Sequence, residues 1–239
     1  MKKIYQAILL LCLLNINVAQ ALLEIEVNKG IESAMPIAIL PIKSGGAQQA
    51  ALLESVVYSD LYRSGLFAMT DKKQHPQTQV TNTDIHYDVW RNLGVEALVS
   101  MSFQDHEGEQ LKLQIELYDL VRKRRVIGRS IMFEKTILRR VAHKISDVIF
   151  EQLTGIRGAF STRIAYISET ADQQSGKSYQ LLVADSDGYN PKAIFTSSKQ
   201  LMSPSWSPDG KKLTYVSFEN DRAEIFLQDV VSGERSIIS

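Results

Sequence analysis

The sequence predicts an α/β domain with a mixed sheet covered by helices, followed by the first blades of an all-β propeller. Two observations lead to this fold class. Hydrophobic patterning in residues 34–158 follows the order β-α-β-α-β-β-β-α, which is typical of a mixed sheet with helices on its faces. In residues 159–239, short alternating strands recur at an interval in the forties, within the roughly 40–50 residues that one propeller blade occupies.

Residues 1–21 have the features of a secretory signal peptide. A positive end at Lys2 and Lys3 precedes an apolar run over residues 7–14 and a small-x-small cleavage site that ends at Ala21. The apolar run is much shorter than the ~20 residues that a helix needs to cross a bilayer. We therefore expect cleavage after Ala21 and export of a chain that does not insert directly into a membrane.

The composition argues against several kinds of function. Cys12 is the single cysteine and lies within the predicted signal, so the exported chain would hold no disulfide, thiol nucleophile or cysteine-bound metal. Removing Lys2 and Lys3 from the 27 basic residues leaves 25 against 27 acidic ones, a formal charge of −2. This balance gives no electrostatic case for binding nucleic acid or an anionic membrane surface.

Residues 22–33, which would begin the exported chain, have a strand pattern. Leu23, Ile25 and Val27 alternate with polar residues until Gly30 breaks the alternation. Two interpretations remain open at this point. The segment is either an edge strand folded onto its own domain, or a terminal strand that detaches and adds itself to the sheet of a partner.

Periodicity predicts the elements of the α/β domain. Its expected strands cover residues 37–42, 66–70, 95–103, 110–119 and 124–133. A first helix is expected over residues 48–64 and a last one over residues 135–153, with a polar loop at residues 71–83. A second, shorter helix is marked by Ile85, Val89, Trp90 and Leu93. The last helix would bury a stripe formed by Ile137, Val141, Ile145, Val148 and Ile149.

The propeller prediction depends on a repeat near the end of the sequence. Residues 163–168 match residues 212–217 at an offset of 49, and residues 181–185 match residues 225–229 at an offset of 44. The two offsets differ because of extra residues within the polar stretch 170–178, which we interpret as a longer hairpin loop in the first copy. The alternative is that the two copies are unrelated hairpins of a β-sandwich.

Residues 207–210, Ser-Pro-Asp-Gly, give the turn signal between two strands of the repeat. Serine first, proline second and glycine last favour a type I turn. On the strand that follows, Leu213, Tyr215 and Ser217 would share one face. Trp206, just before the turn, would wedge between neighbouring sheets.

Several short motifs suggest chemistry but lack what that chemistry requires. Residues 44–46, Ser-Gly-Gly, follow a strand without the lysine of a phosphate-binding loop, and residues 128–132 fail the GxSxG pattern at the last position. Residues 185–188 open like a calcium loop, but Thr196 stands where the glutamate ligand belongs, so a hairpin turn is expected. The basic run at residues 122–125 is interpreted as a solvated turn rather than a binding patch.

The four histidines show neither HxxxH nor HxH spacing, so the sequence does not predict a zinc site. No catalytic constellation and no cofactor-binding or metal-binding residue emerges from the motifs.

Taken together, these motifs make nearly the whole chain resemble the TolB family, the periplasmic propeller proteins of the Tol-Pal system in Gram-negative bacteria. The resemblance is carried by the exported, strand-forming N-terminus and by residues 36–41, 151–160, 163–166, 185–190 and 201–219. The segments at 185–190 and 201–219 are highly specific in combination, whereas the Ser-Pro-Asp-Gly turn alone occurs in many propellers, including those of peptidases.

The resemblance implies a non-enzymatic periplasmic protein with two partners. In this family the extreme N-terminus binds the C-terminal domain of the inner-membrane protein TolA, and the propeller binds Pal, a peptidoglycan-associated outer-membrane lipoprotein. It further implies roles in outer-membrane integrity, in constriction during cell division, and as an import route exploited by colicins and filamentous phage. When Pal occupies the propeller, the N-terminal segment would become free, and otherwise it would dock between the domains.

Carried over by position, the resemblance assigns two segments of this chain to these partners. The segment expected to bind TolA by strand addition consists of Leu22, Leu23, Glu24, Ile25, Glu26, Val27, Asn28, Lys29, Gly30, Ile31, Glu32 and Ser33. The loop expected to face Pal consists of Lys199, Gln200, Leu201, Met202 and Ser203.

The sequence departs from the family in one respect. The family's propeller has six blades, whereas residues 160–239 supply fewer than two, so we expect a C-terminal truncation that leaves an open strand edge. Two alternative functions therefore stay open. One is the N-terminal part of a propeller-containing serine peptidase that lacks its hydrolase domain. The other is a sugar- or ligand-binding propeller.

Overall fold

The structure, a computed structural model, describes residues 34–42, 46–104, 108–172 and 176–239. These residues all belong to one compact unit, Ala34–Ser239. The predictions for residues 1–33, the signal peptide and the terminal strand, lie outside the described residues, as do Ser44 and Gly45. In the described part of the chain, every helix is too short or too polar to span a bilayer.

The first part of the chain folds into a five-stranded sheet with helices. The strands are β1 (Met35–Ile39), β2 (Phe67–Met69), β3 (Ala97–Gln104), β4 (Gln110–Asp119) and β5 (Arg124–Glu134). The helices are α1 (Ala47–Arg63), α2 (Tyr87–Asn92) and α3 (Leu138–Thr154), with 3₁₀ turns at Lys72–Gln74 and Lys135–Ile137. The strand order is β2-β1-β3-β4-β5, with β1 parallel to both of its neighbours and the other pairs antiparallel. The predicted mixed sheet is confirmed.

The sheet is covered on both faces because its inner strand β1 is apolar on both. Ile37 and Ile39 of β1 face the core formed with α1 and α3. Ala38 and Leu40 face a second core on the other side, which includes Trp90 of α2. A strand buried on both faces has a continuous apolar sequence rather than an alternating one, which is the pattern at the start of this domain.

The side of α3 that is buried differs from the predicted stripe. Ile145 and Ile149 are buried, but three members of the stripe are only half-buried: Ile137, Val141 and Val148. These three still pack against the core, and beside them the helix buries three polar residues, His143, Ser146 and Asp147. Apolar periodicity cannot identify such residues, because a polar side chain is buried only where another element supplies its hydrogen-bond partners.

Helix α2 is also placed differently from the prediction. Ile85 and Trp90 are buried as expected, whereas Val89 and Leu93 are each 46% exposed. The helix has only six residues and begins after Ile85, so Trp90 is its one buried residue. The Trp90 indole N–H donates to the Gln77 side chain at 3.1 Å, which satisfies the polar end of the ring.

The second part of the chain consists of two antiparallel sheets. The first sheet contains β6 (Arg163–Asp172), β7 (Gly176–Asp185) and β8 (Lys192–Ser197). The second contains β9 (Leu201–Trp206), β10 (Lys212–Ser217), β11 (Glu224–Asp229) and β12 (Arg235–Ile237). Their facing side chains form one core, with Leu181 and Val183 from the first sheet and Leu213, Tyr215 and Phe226 from the second.

The sequence repeat corresponds to equivalent strand pairs in the two sheets. Arg163 opposes Asp185 where β6 pairs with β7, and Lys212 opposes Asp229 where β10 pairs with β11. The prediction of a loop at residues 170–178 was wrong, because β6 and β7 stay paired out to their last residues on either side of the tip. Exposed hairpin strands need no apolar alternation, so their polar sequence resembled a loop.

The turn at residues 207–210 forms as predicted. The Gly210 N–H donates to the Ser207 carbonyl at 2.9 Å, and Gly210 adopts a positive φ of 67°, which favours glycine. On β10, Leu213, Tyr215 and Ser217 are all buried on one face. Trp206 is half-buried under the guanidinium of Arg163, 4.8 Å from the ring centre, so it contacts the neighbouring sheet as expected.

The segment between α3 and β6 is held against the helix by Asp147. Its buried carboxylate accepts hydrogen bonds from the Phe160 N–H at 2.7 Å and the Ser161 N–H at 3.3 Å. Gly158 lies so close to α3 that a Cβ there would be 2.5 Å from the Asp147 Cα atom. The backbone at this point therefore fits against the helix only because residue 158 has no side chain.

The close approach at Gly158 generates a test of this linkage. Gly158→Ala should lower the free energy of unfolding by about 2 kcal/mol, since the added methyl group would force the backbone away from α3. Ile156→Ala in the same segment is the control, because Ile156 is exposed and its loss should cost less than about 0.5 kcal/mol. Urea unfolding monitored by circular dichroism measures both, and equal stability of the two variants would contradict the proposed contact.

Candidate functional site at the domain junction

The turn between β7 and β8 brings the first propeller sheet against the helices of the α/β domain. The Gly188 N–H donates to the Asp185 carbonyl at 2.8 Å, and Gly188 has a φ of 82°. This confirms that residues 185–188 form a hairpin turn. The turn has a second role that the sequence did not indicate, because it directs the side chain of Asp187 towards α1 and α3.

Asp187 is the residue on the propeller side around which the junction forms. Its side chain is 9% exposed and accepts a hydrogen bond from the guanidinium of Arg139 on α3. The same carboxylate oxygen lies 4.0 Å from Arg63 Nη2 and 3.8 Å from His143 Nε2. One carboxylate of the turn thus faces three basic side chains of the α/β domain.

His143 connects this carboxylate to a second one beneath it. His143 Nδ1 is 2.7 Å from Asp60 Oδ2, and both side chains are almost fully buried. This contact is a hydrogen bond between the imidazole and the carboxyl group. Asp60 Oδ1 also accepts from Arg63 at 2.7 Å. His143 Nε2 is buried and has no hydrogen-bond partner within the described residues.

Arg139 completes the cluster at its outer side. Its Nε atom lies 3.6 Å from Asp185 Oδ2, and its guanidinium stacks on the Tyr189 ring at 3.9 Å from the centroid. The cluster therefore holds three carboxylates and two guanidinium groups around one imidazole. We call the set Asp60, Arg63, Arg139, His143, Asp185 and Asp187 the junction cluster.

Sequence reasoning missed the junction cluster, although one signal for it exists. Asp60 falls among Val56, Val57 and Leu61 on the buried stripe of α1, and His143 falls beside Ile145 on that of α3. A polar residue inside an apolar stripe indicates a buried polar contact. What the sequence does not show is that both residues meet the same distant turn.

The predicted partner-binding residues have different outcomes. Residues 22–33 lie outside the described residues. The prediction that residues 199–203 form a loop was partly wrong, because Leu201 begins strand β9 and is buried. Lys199 and Gln200 do connect β8 with β9, and Met202 on the strand is 42% exposed.

The direction of β8 places the connection between β8 and β9 at the end of the propeller sheets opposite the junction. Strand β8 starts beside the turn that carries Asp187 and runs away from it, so Lys199 lies at the far end. There Lys199 Nζ pairs at 2.5 Å with Asp221, which lies in the connection between β10 and β11. The α/β domain thus contacts one end of the sheets, and residues 199–200 lie at the other end.

Most cations of the basic run at residues 122–125 are paired within the protein. Three of its four cations pair with acidic side chains: Arg122 with Asp119, Lys123 with Asp88, and Arg125 with Glu116. The hydrogen bond from Lys123 lowers the pKa of the Asp88 carboxyl. Ser130, from the failed GxSxG motif, is paired within β5 opposite Gln114 and occupies no turn.

The fold defines the class of protein: a mixed α/β domain joined through a polar junction to propeller sheets. Comparison with known families agrees. Residues 23–126 match the family described as the TolB amino-terminal domain, and residues 150–239 match the family described as the TolB beta propeller domain. The chain therefore belongs to the TolB family over these ranges.

Relatives support this assignment along the whole chain. The Tol-Pal system protein TolB of Thioalkalivibrio sulfidiphilus is 42% identical over 100% of this chain and 55% of its own length. The protein of the same name from Hydrogenovibrio crunogenus is 43% identical over 91% of this chain and 51% of its own length. The crystal structure of TolB from Acinetobacter baumannii superposes with a TM-score of 0.75 at 32% identity, covering 86% of this chain and 49% of that one. The chain spans about half the length of the curated relatives it matches.

The junction cluster predicts that Asp187 stabilises the fold more than an exposed acid does. Asp187→Asn should lower the free energy of unfolding by about 2 kcal/mol, because it removes the buried charge that accepts from Arg139. Asp221→Asn is the matched control, since Asp221 pairs with Lys199 while its side chain is 80% exposed, and it should cost less than about 0.5 kcal/mol. Thermal unfolding by calorimetry compares the two, and a similar loss in both would show that the junction contact contributes little.

Proposed function

We propose that this protein is a periplasmic component of the Tol-Pal system that works by binding other proteins and catalyses no reaction. The observation that carries the proposal is that TolB family matches fall on both parts of the chain, beside relatives named Tol-Pal system protein TolB. The partners proposed for it are TolA and Pal. Export through the signal peptide at residues 1–21 would place it where both partners are accessible.

The segment proposed to bind the C-terminal domain of TolA is residues 22–33. Its alternation of Leu23, Ile25 and Val27 with polar residues is that of a strand with one apolar face. Added to the edge of a partner's sheet, such a strand gains affinity from backbone hydrogen bonds and specificity from alternate side chains. A segment at the start of the exported chain is free to do this without unfolding the domain behind it.

The surface proposed for Pal lies at the end of the propeller sheets opposite the junction. The α/β domain contacts the end that carries Asp187, so a partner can approach the other end without displacing it. The accessible residues of the predicted Pal-facing segment are Lys199, Gln200, Met202 and Ser203. Leu201 is buried and would support the loop from below.

Bridging TolA at the inner membrane and Pal at the outer membrane would link the two membranes of the envelope. The cellular roles that follow are outer-membrane integrity and constriction during division, with colicin import as an exploitation of the same contacts. Pal binding would also favour release of residues 22–33 for TolA, which requires that Pal bind the released state more tightly than the docked one.

Deleting residues 22–33 tests the proposed TolA contact. The exported chain without this segment should lose capture by the C-terminal domain of TolA, because the added strand would be gone. Ile25→Pro should reduce capture by at least tenfold, since proline removes a backbone donor from the ladder. Pull-down on immobilised TolA domain, followed by interferometry for affinity, measures both effects.

Ile25→Val serves as the control for this experiment, since it keeps the backbone donor, the apolar face and the strand preference of the wild-type residue. It should bind TolA within about twofold of the parent chain. Capture by the deletion variant at the parent level would eliminate strand addition by residues 22–33. Loss of binding in Ile25→Val as well would indicate that the side chain, not the ladder, carries the contact.

A charge at Met202 tests the proposed Pal surface. Met202→Glu should weaken capture of Pal by the exported chain about tenfold, because a carboxylate would be desolvated in the contact. Val231→Glu is the control, since Val231 is 91% exposed and lies at the junction end of the sheets. Equal Pal binding by both variants would exclude residues 199–203 from the interface.

A further inference from the structure

We propose that the junction cluster contains a binding site for a zinc ion, with His143, Asp185 and Asp187 as the protein ligands. The three residues come from α3 and from the turn after β7, so an ion bound there would link the α/β domain directly to the first propeller sheet. Neither the family matches nor the binding functions proposed above include such a site.

The ligand atoms are already close together. One ligand atom from each of the three residues lies within 4.8 Å of the others. His143 Nε2 and Asp187 Oδ2, which are 3.8 Å apart, are too distant for a hydrogen bond. Ligands around a tetrahedral zinc ion at about 2.0–2.2 Å are separated by about 3.4 Å, so shortening the separations between ligand atoms by at most about 1.4 Å would form the site.

The unpartnered nitrogen of His143 points to a ligand at this position. The residue is 98% buried (2% exposed), and its Nε2 atom has no hydrogen-bond partner among the described residues. Since Nδ1 is engaged with Asp60, Nε2 is the ring atom that remains to bind an ion beside the two carboxylates. A buried polar atom without a partner is costly, and a metal ion would satisfy it.

Asp60 supplies the outer contact that zinc-binding histidines commonly have. Such a histidine donates its second ring N–H to a carboxylate or a carbonyl group, which fixes the tautomer and orients the ring. The 2.7 Å contact from His143 to the fully buried Asp60 has this form. One imidazole and two carboxylates, with a water in the fourth position, is also a ligand set that suits zinc better than calcium or magnesium.

Arg139 is the competitor for this site. Its guanidinium lies against the same two carboxylates, so a bound cation would have to replace it. Arg139 is partly exposed and already stacks on Tyr189, which gives it an alternative position when it leaves Asp187. Without zinc, Arg139 would hold the junction together by pairing with the two carboxylates. With zinc, the ion would take its place.

An ion can reach the ligands from solvent. A cavity of about 380 Å³ is lined by His143 and Asp185, together with Ser161, Thr162, Arg140 and Arg163. The hydroxyl groups of Ser161 and Thr162 offer partners for the water that would complete the coordination. Because the cavity opens at the junction, filling the site requires no unfolding of either sheet.

Titration of the tag-free exported chain with Zn²⁺ tests the proposal, using calorimetry for affinity and Co²⁺ as a spectroscopic substitute. The parent chain should bind one zinc ion, show tetrahedral Co²⁺ absorption bands, and unfold at a higher temperature when zinc is present. His143→Gln and Asp185→Asn should each weaken zinc binding at least tenfold. Asp185 is partly exposed, so its variant keeps the test valid if loss of the buried histidine prevents folding.

Two further variants separate this site from adventitious binding. Arg139→Met should tighten zinc binding, because it removes the competing charge and keeps an unbranched side chain. His75→Gln, which alters a half-buried histidine that contacts Trp90, should leave the affinity unchanged. Absence of zinc binding in the parent chain would overturn the proposal. So would binding that survives in both His143→Gln and Asp185→Asn, or an affinity that Arg139→Met does not raise.

Discussion

Charged groups of α1 and α3 are buried against the turn after β7, and the arrangement of the two parts of the chain depends on this contact. Burying Asp60 and Asp187 is favourable only because Arg63, Arg139 and His143 are placed to pair with them. An apolar contact would tolerate sliding, whereas directional hydrogen bonds to carboxylates fix one position of the sheet on the helices. The segment between α3 and β6, which Asp147 and Gly158 hold against the helix, also restrains the first propeller sheet relative to α3.

This constraint determines which surfaces of the propeller sheets remain available. The α/β domain contacts the end where β7 stops and β8 begins, so the connections at the opposite end keep their exposure. There Lys199 of the β8–β9 connection pairs with Asp221 of the β10–β11 connection. A protein that binds one partner through its leading segment and another through its propeller benefits from such a separation, since neither contact needs to displace the other.

The junction also gives a physical basis for communication between the two proposed partners. A cluster with three carboxylates, two guanidinium groups and one imidazole has more than one way to pair its charges. Because Arg139 contacts both Asp187 and the Tyr189 ring, small shifts of the turn would change which pairs are made. Coupling between the two proposed partners would require two such arrangements of the junction.

The sequence by itself determined the mixed sheet, the repeat that becomes β6–β7 and β10–β11, and the turn at residues 207–210. These features follow from local periodicity and turn chemistry, which every short segment carries within itself. Only the tertiary structure decided that His143 and Asp60 are buried, that residues 170–172 and 176–178 are paired strands, and that Leu201 lies inside a sheet. The burial of a polar group depends on partners more than forty residues away, and no local pattern records where those partners will lie.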